Sequence, residues 1–89
     1  MFYSTFDNIK YRLTHINEIY SIKNPENVKT LELYYNKLTS PDKNIFSNLT
    51  QLKTLNLFHT NLTTLDKDIF KNLTELKTLY LQNNNLTSL

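Results

Sequence analysis

The chain has 89 residues, of which 39% are hydrophobic and 20% are charged, and its formal net charge is +2, which is the make-up of one small globular domain. It contains no Gly and no Cys, which excludes phosphate-binding glycine loops, disulfides, thiolate nucleophiles and sulfur-ligated zinc. Its ten basic and eight acidic residues are interspersed along the chain, so neither nucleic acid nor an anionic membrane surface is an expected partner.

No apolar run approaches the ~20 residues that a membrane-spanning helix needs. Residues 1–10 lack the basic-then-apolar order of a signal peptide. These features predict no membrane partner, and they leave the compartment in which the protein works open. Nothing in the composition predicts a cofactor.

The stretch before Val28 has two interpretations. Apolar residues recur at spacings of three and four, which predicts an amphipathic capping helix with a weak capping box at Ser4 and Asp7. The same stretch also fits a degenerate copy of the repeat that follows it. In that alignment, places one, four, six, nine, eleven and fourteen are Phe6, Ile9, Tyr11, Thr14, Ile16 and Ile19. The content of β-branched residues favours the degenerate repeat over the helix.

From residue 28 onward the sequence repeats. The copies are VKTLELYYNKLTSPDKNIFSNLTQ, LKTLNLFHTNLTTLDKDIFKNLTE and LKTLYLQNNNLTSL, and their first residues, Val28, Leu52 and Leu76, are 24 positions apart. Leucine recurs at places four, six and eleven of every copy. Place nine holds an amide or a hydroxyl side chain: Asn36, Thr60 and Asn84. Later places hold matched apolar residues, which are Ile45, Phe46 and Leu49 in one copy and Ile69, Phe70 and Leu73 in the next.

These residues spell L-x-x-L-x-L-x-x-N-x-L, so the sequence from Val28 to Leu89 resembles the leucine-rich repeat family in its 24-residue form. The return from Phe6 to Val28 is two positions shorter than the later steps, and it is similar to the 22-residue repeat of bacterial internalins. The resemblance implies a single leucine-rich repeat domain over residues 1–89. Its repeats would cover about 6–27, 28–51, 52–75 and, incomplete, 76–89.

Places three to seven of each copy alternate between polar and apolar residues, which is the period of a strand whose leucines face inward. Stacked coils would pair these strands into a parallel sheet with ~4.8 Å between neighbours. The predicted fold is an α/β-type solenoid, a short right-handed coil with a concave parallel β-sheet and an irregular or 3-10 convex side. The ninth-place Asn is expected to bond backbone groups where the chain turns inward, and to tolerate a left-handed backbone there.

The candidate binding residues are the strand positions that alternate with the inward leucines and the turn positions that follow them. Their aromatic, amide and charged side chains have the composition of binding hot spots; they are Arg12, Glu32, Tyr34, Tyr35, Asn56, Phe58, His59, Tyr80, Gln82 and Asn83. The alignment also assigns Lys10 to the fifth place and Leu13 to the outward eighth place. In leucine-rich repeat proteins generally, ligands dock on the concave sheet, so the resemblance implies a protein partner here. The alternative is that aromatic residues simply favour strands and cover the sheet.

Other recurring residues have simpler interpretations. A column of Lys29, Lys53 and Lys77 is predicted to be a solvated edge rather than an anion-binding stripe. Asn-Leu-Thr tripeptides match the glycosylation acceptor, but the repeat itself accounts for them; they begin at Asn48, Asn61, Asn72 and Asn85. His15 and His59 would lie two coils apart, ~10 Å by strand spacing, too far to share a metal. No catalytic or metal site is predicted.

The sequence therefore predicts a non-catalytic protein-protein interaction module that binds its partner through the concave strand face. Two alternatives remain open: a recognition fragment of a larger enzyme, effector or receptor, and a structural spacer. Because the last copy stops at place fourteen, we expect a C-terminal coil without a cap. The isolated chain is accordingly expected to self-associate through that coil or to be a fragment.

Overall fold

The computed structural model describes residues 10–13 and 15–86 and contains one four-stranded parallel sheet. Its strands, adjacent in chain order, are β1 (Lys10–Arg12), β2 (Thr30–Glu32), β3 (Thr54–Asn56) and β4 (Thr78–Tyr80). Parallel strands that follow one another in sequence need a crossover connection, so each strand belongs to one coil of a solenoid. The predicted parallel sheet is confirmed, and the handedness of the coil stays a prediction.

The second, third and fourth coils stack with equivalent places side by side. Leu31 pairs with Leu55, and Leu55 pairs with Leu79. The leucines at places four and six of the second and third coils, including Leu33 and Leu57, are completely buried. The residues between them are only half-buried, as the alternation predicts for a strand with one face in the core.

The first coil differs from its predicted alignment by a shift of two places. Tyr11, rather than Ile9, pairs with Leu31, so the step from the first strand to the second is shorter than the alignment predicts. The assignment of Leu13 to an outward eighth place is therefore wrong, because Leu13 is 1% exposed at place six. The assignment of Lys10 to place five is wrong as well, since it pairs with Thr30 at place three.

A shift of two places escapes detection in the sequence for a physical reason. Side chains alternate with a period of two, so such a shift keeps every residue on its expected face of the strand. Arg12 consequently stays on the outward face, although it lies beside Glu32 at place five instead of at place seven. Phe6, Ile9 and Thr14, with the capping box at Ser4 and Asp7, lie outside the described residues.

The described residues of the first coil agree with a degenerate repeat rather than with an amphipathic helix. Residues 10–12 form a strand, and two short 3-10 helices, Ile16–Ser21 and Pro25–Asn27, connect it to β2. The Glu18 carboxylate accepts a hydrogen bond from the His15 N–H at 3.0 Å and holds the start of the first helix. The predicted amphipathic helix is therefore wrong for residues 10–13. Because Tyr11 pairs with Leu31, the first coil also contains fewer residues than the internalin-type repeat.

The side of the solenoid opposite the sheet is built from turns around a stacked pair of phenylalanines. Phe46 is completely buried, and its ring stacks on that of Phe70 with 6.2 Å between centroids. The backbone there makes bonds between residues three apart, as from Leu49 N to Phe46 O at 3.1 Å. This side is thus irregular with 3-10 character, as predicted, and stacking of equivalent residues fills the core.

The ninth place joins neighbouring coils through side-chain amides. Asn36 is 5% exposed, and its Nδ2 donates to the carbonyl oxygens of Leu13 and Leu33, both at 2.8 Å. Asn84 Nδ2 donates in the same way to Leu57 O at 2.8 Å. One amide therefore satisfies carbonyl groups in its own coil and in the preceding one while the chain turns inward.

The left-handed backbone lies at the eighth place rather than at the ninth, so that expectation is wrong. Tyr35, His59 and Asn83 have φ values of 66°, 55° and 60°. The residue before the amide makes the turn, which leaves the ninth residue free to direct its side chain inward. Thr39 and Asn61 also have positive φ values, of 52° and 57°.

Candidate functional site

We use the name strand face for the outward surface formed by the sheet and by the turn after each strand. It comprises the ten residues predicted from the sequence: Arg12, Glu32, Tyr34, Tyr35, Asn56, Phe58, His59, Tyr80, Gln82 and Asn83. Tyr35 is 65% exposed and Tyr80 is 41% exposed. His59, Gln82 and Asn83 are also exposed or partly exposed, and the other five are half-buried. None of the ten belongs to the core, so all are placed where a ligand could reach them.

Four rings of the strand face form one aromatic cluster, which we define as Tyr34, Tyr35, Phe58 and His59. The Tyr35 ring lies at its centre, 5.6 Å from Tyr34, 6.1 Å from Phe58 and 5.2 Å from His59 between centroids. Its contacts with Tyr34 and Phe58 are edge-to-face, the geometry that aromatic quadrupoles favour. The cluster therefore forms a continuous ridge across the second and third coils.

Arg12 extends this ridge into the first coil. Its guanidinium carbon lies 4.4 Å from the centroid of the Tyr34 ring, within the range of a cation-π interaction. Arg12 Nε is buried and has no hydrogen-bond partner in the part of the chain that the structure describes. Strand pairing with Glu32 sets the position of Arg12, so the tertiary fold brings a cation to the edge of the aromatic cluster.

The sequence predicted that Tyr80 lies together with the other outward aromatic residues, but in the structure Tyr80 lies apart from them. Tyr80 pairs with Asn56 at place five, and no ring contact joins it to the aromatic cluster among the described residues. His59 takes its place in the cluster, through contacts with both Tyr35 and Phe58. The alignment held a signal for this, because His59 and Tyr35 occupy the same place of consecutive copies.

The backbone at the centre of the aromatic cluster is strained. Tyr35 and His59 adopt the left-handed conformation, which costs a residue with a side chain ~1–2 kcal/mol. Asn83, at the same place of the fourth coil, is a residue type that tolerates this conformation. Hydrogen bonds hold the turn, since Tyr35 N donates to His59 O at 3.2 Å and His59 N donates to Gln82 O at 3.0 Å.

Two lysines of the column have side-chain partners, and one of these partners is acidic. Lys29 Nζ donates a hydrogen bond to Gln51 Oε1, and Lys53 Nζ lies 3.6 Å from Glu75 Oε1. Both members of the Lys53 ion pair are well exposed, so the pair adds little stability. A column with such pairing favours a solvated edge over an anion-binding stripe.

The four asparagines of the Asn-Leu-Thr tripeptides are all exposed; they are Asn48, Asn61, Asn72 and Asn85. Asn72 Nδ2 donates to Ser47 O at 3.4 Å. The repeat itself explains why the tripeptides recur, and their glycosylation stays untested.

A shallow groove lies between the first and second coils on the side away from the sheet. It has a volume of about 90 Å³, and its walls include Tyr20, Pro25 and Leu49. Pockets for drug-sized ligands are larger, ~300–1,000 Å³. Within residues 10–13 and 15–86, no group of three His, Asp or Glu side chains could hold a metal ion. No helix in this described part has both the length and the hydropathy to cross a bilayer.

Comparison with known proteins agrees with this architecture. A family model described as leucine rich repeat matches residues 12–62 and 50–89, which together cover most of the chain. No curated protein matches the chain.

Proposed function

The chain belongs to the leucine-rich repeat family, and from this premise we propose that it is a non-catalytic module that binds a protein partner through the strand face. Domains of this family typically mediate protein-protein interaction. In this proposal, residues 1–89 form one domain, and the strand face is the concave side of a right-handed coil.

The observation that carries the proposal is the aromatic cluster, in which Tyr35 and His59 are exposed and have a strained backbone. Strand propensity does not explain it, because β2 ends at Glu32 and β3 ends at Asn56, before Tyr35 and His59. Burial does not explain it either, since Tyr35 is 65% exposed. Strained residues concentrate at functional sites, and a binding role accounts for an aromatic residue at a place where the fourth coil carries Asn83.

The composition of the strand face also indicates the kind of partner. Its centre is aromatic, and its surroundings are the amides of Asn56, Gln82 and Asn83 with the guanidinium of Arg12. Tyrosine and arginine are enriched among hot-spot residues, and polar rims surround them. We therefore expect a partner that places apolar side chains on Tyr35 and hydrogen-bond acceptors near Arg12.

The experiment compares two equally exposed tyrosines. Tyr35→Asn removes the central ring while supplying a residue that accepts the left-handed backbone, and Tyr20→Asn is the matched control on the opposite side, where Tyr20 is 68% exposed. A photo-reactive residue at position 82 first identifies the partner, which is then purified and titrated by calorimetry. We expect Tyr35→Asn to weaken binding by ~30-fold or more, a hot-spot loss of ~2 kcal/mol, and Tyr20→Asn to change it less than about twofold.

Equal effects of the two substitutions would place the binding surface elsewhere. If no partner cross-links, the proposal is wrong and the structural spacer is the better interpretation. Circular dichroism of Tyr35→Asn shows whether the fold is intact, so that loss of structure is not mistaken for loss of contact.

A further inference from the structure

Arg12 lies at the edge of the aromatic cluster with one of its hydrogen-bond donors unsatisfied. Its guanidinium carbon is 4.4 Å from the centroid of the Tyr34 ring. Its Nε is the one buried side-chain nitrogen or oxygen without a hydrogen-bond partner among residues 10–13 and 15–86. Buried polar groups of folded proteins nearly always have a partner, so this is a place where the described part of the chain does not by itself satisfy a charged group.

The stacking of Arg12 on Tyr34 leaves its guanidinium able to bind a planar anion. The N–H groups of a guanidinium lie in its plane, and stacking uses its face instead. Because Nε is buried, the terminal nitrogens are the donors that a ligand reaches. Two of them match the two oxygens of a carboxylate. The charge is delocalised over the whole group, so an anion at the terminal nitrogens also stabilises the charge that Nε shares.

The aromatic cluster alone does not favour an anionic ligand, since the faces of aromatic rings attract cations. The Tyr34 ring already holds a cation, however, because Arg12 lies over it. A cationic group of a partner would meet a like charge there, whereas an anionic group would meet an opposite one. Strand pairing sets Glu32 beside Arg12, yet Arg12 Nε donates to no carboxylate in the described part of the chain. This end of the strand face therefore favours an anion.

Arg12 and Tyr35 are close enough for one short segment to reach both. The Arg12 guanidinium carbon and the Tyr35 ring centroid lie 4.4 Å and 5.6 Å from the centroid of the Tyr34 ring. They are therefore separated by no more than about three residues of an extended chain, which advances ~3.3 Å per residue. Side chains two positions apart in such a chain point to the same side. An acidic and an apolar residue at that spacing can contact Arg12 and Tyr35 together.

We propose that the partner of the strand face presents a carboxylate to Arg12 and a large apolar side chain to Tyr35. The carboxylate belongs to an Asp or Glu side chain, and the apolar residue lies two positions away in an extended segment. This inference rests on the proposed function, and it adds the charge and the spacing of the segment that is recognised. Arg12 selects the acidic residue, and Tyr35 provides the apolar contact.

The first test selects binders from a displayed library of random dodecapeptides on the immobilised chain. The wild type should enrich peptides in which Asp or Glu lies two positions from a large apolar residue. Arg12→Gln removes the charge, so it should enrich apolar residues without the acid. Tyr35→Asn should instead lose the apolar enrichment. Circular dichroism shows that each variant is folded before its peptides are compared.

The second test measures the carboxylate with a matched pair of peptides, the most enriched one and its copy with the acid replaced by the corresponding amide. In calorimetric titrations of the wild type, the amide should bind at least about tenfold more weakly, because a charge-assisted hydrogen bond is lost. For Arg12→Gln the two peptides should bind within about twofold of each other. Arg12→Lys, which keeps the charge but not the planar fork, should retain part of the difference. Lys37→Gln removes another exposed cation and is the control that should retain all of it.

The acid beside Arg12 tests the sign of the charge. Strand pairing sets Glu32 next to Arg12, so a bound carboxylate meets one like charge there. Glu32→Gln should therefore strengthen binding of the acidic peptide about twofold, the size of an exposed charge interaction, and change the amide peptide less. An unchanged or weaker affinity for the acidic peptide would contradict a carboxylate at Arg12.

The outcomes separate this inference from the proposed function. Apolar enrichment without an acid, or equal affinities of the two peptides for the wild type, overturns the carboxylate and leaves the strand face as a binding surface. Enrichment of Lys or Arg shows a cationic segment and overturns it as well. No enrichment by the wild type, or a peptide that binds equally to the wild type, Arg12→Gln and Tyr35→Asn, overturns both.

Discussion

At the level of single residues, an asparagine at the ninth place makes more hydrogen bonds between coils than a threonine at the same place. Leu62 N donates to the side-chain Oδ1 of Asn84 at 2.9 Å. Where the following coil carries Thr60 instead, Leu38 N donates to the backbone oxygen of Thr60, also at 2.9 Å. The Thr60 hydroxyl has a single proton, which it shares between Leu57 O in its own coil at 2.9 Å and Asn84 Oδ1 in the next coil at 3.1 Å. A threonine at this place therefore contributes fewer bonds between coils than an asparagine.

The first prediction concerns Asn36. Asn36→Ala should lower the free energy of unfolding by ~1–3 kcal/mol, because it leaves the buried carbonyl groups of Leu13 and Leu33 without their amide donor. Urea unfolding followed by circular dichroism measures the loss. The matched control is Asn44→Ala in the same coil, where the side chain is exposed and little change is expected.

Equal losses at Asn36 and Asn44 would contradict the assignment of place nine as a buried bridge. Asn61 is a less suitable control because its φ is 57°. Alanine in that conformation adds a backbone cost of ~1–2 kcal/mol that has nothing to do with the amide.

At the level of elements, β1 decides how the first coil joins the solenoid. Leu13 N donates to Glu32 O at 3.0 Å, just as Leu33 N donates to Asn56 O at 2.9 Å and Leu57 N donates to Tyr80 O at 2.9 Å. Three consecutive coils therefore use the same backbone bond after the strand. The shorter first coil keeps this bond by replacing the phenylalanine segment of the later copies with two 3-10 helices.

The second prediction tests this register. Leu13→Ala should destabilise the protein by ~2–5 kcal/mol, the usual cost of deleting a completely buried leucine side chain. The midpoint of chemical denaturation measures it, with Lys23→Ala at an exposed position of the same coil as the control. A loss no larger than that of the control would return Leu13 to the outward place that the alignment assigned to it.

At the level of the whole molecule, stability should decrease from the middle of the stack toward the fourth coil. Each coil of a solenoid is stabilised mainly by its neighbours. Leu33 and Leu57 are completely buried between coils, whereas Leu81 is half-buried. The fourth coil is therefore expected to open more often than the two coils before it.

The third prediction is a gradient of amide hydrogen exchange. The N–H groups of Leu33 and Leu57 should exchange at least about tenfold more slowly than that of Leu81, because they are hydrogen-bonded within the sheet and open only with larger parts of the fold. NMR-detected hydrogen exchange on the wild-type chain measures the gradient. Equal protection at the three sites would contradict it.

The sequence alone determined the solenoid and most of its core. In a repeat protein, each coil packs against a copy of itself, so the local pattern that predicts β2 also predicts what lies beside it. The pairing of Leu31 with Leu55, and of Leu55 with Leu79, follows from the constant spacing of the copies. The membership of the strand face follows from the same repeat, since an outward place in one copy is outward in the next.

The tertiary structure alone decided the features in which the copies differ. The register of β1 depends on which residue fills the core, and a period of two cannot distinguish Ile9 from Tyr11. The left-handed turn at Tyr35, the replacement of Tyr80 by His59 in the aromatic cluster and the position of Arg12 over Tyr34 depend on backbone angles and side-chain directions. A pattern of residue types does not specify those angles, because they arise only once the coils are stacked.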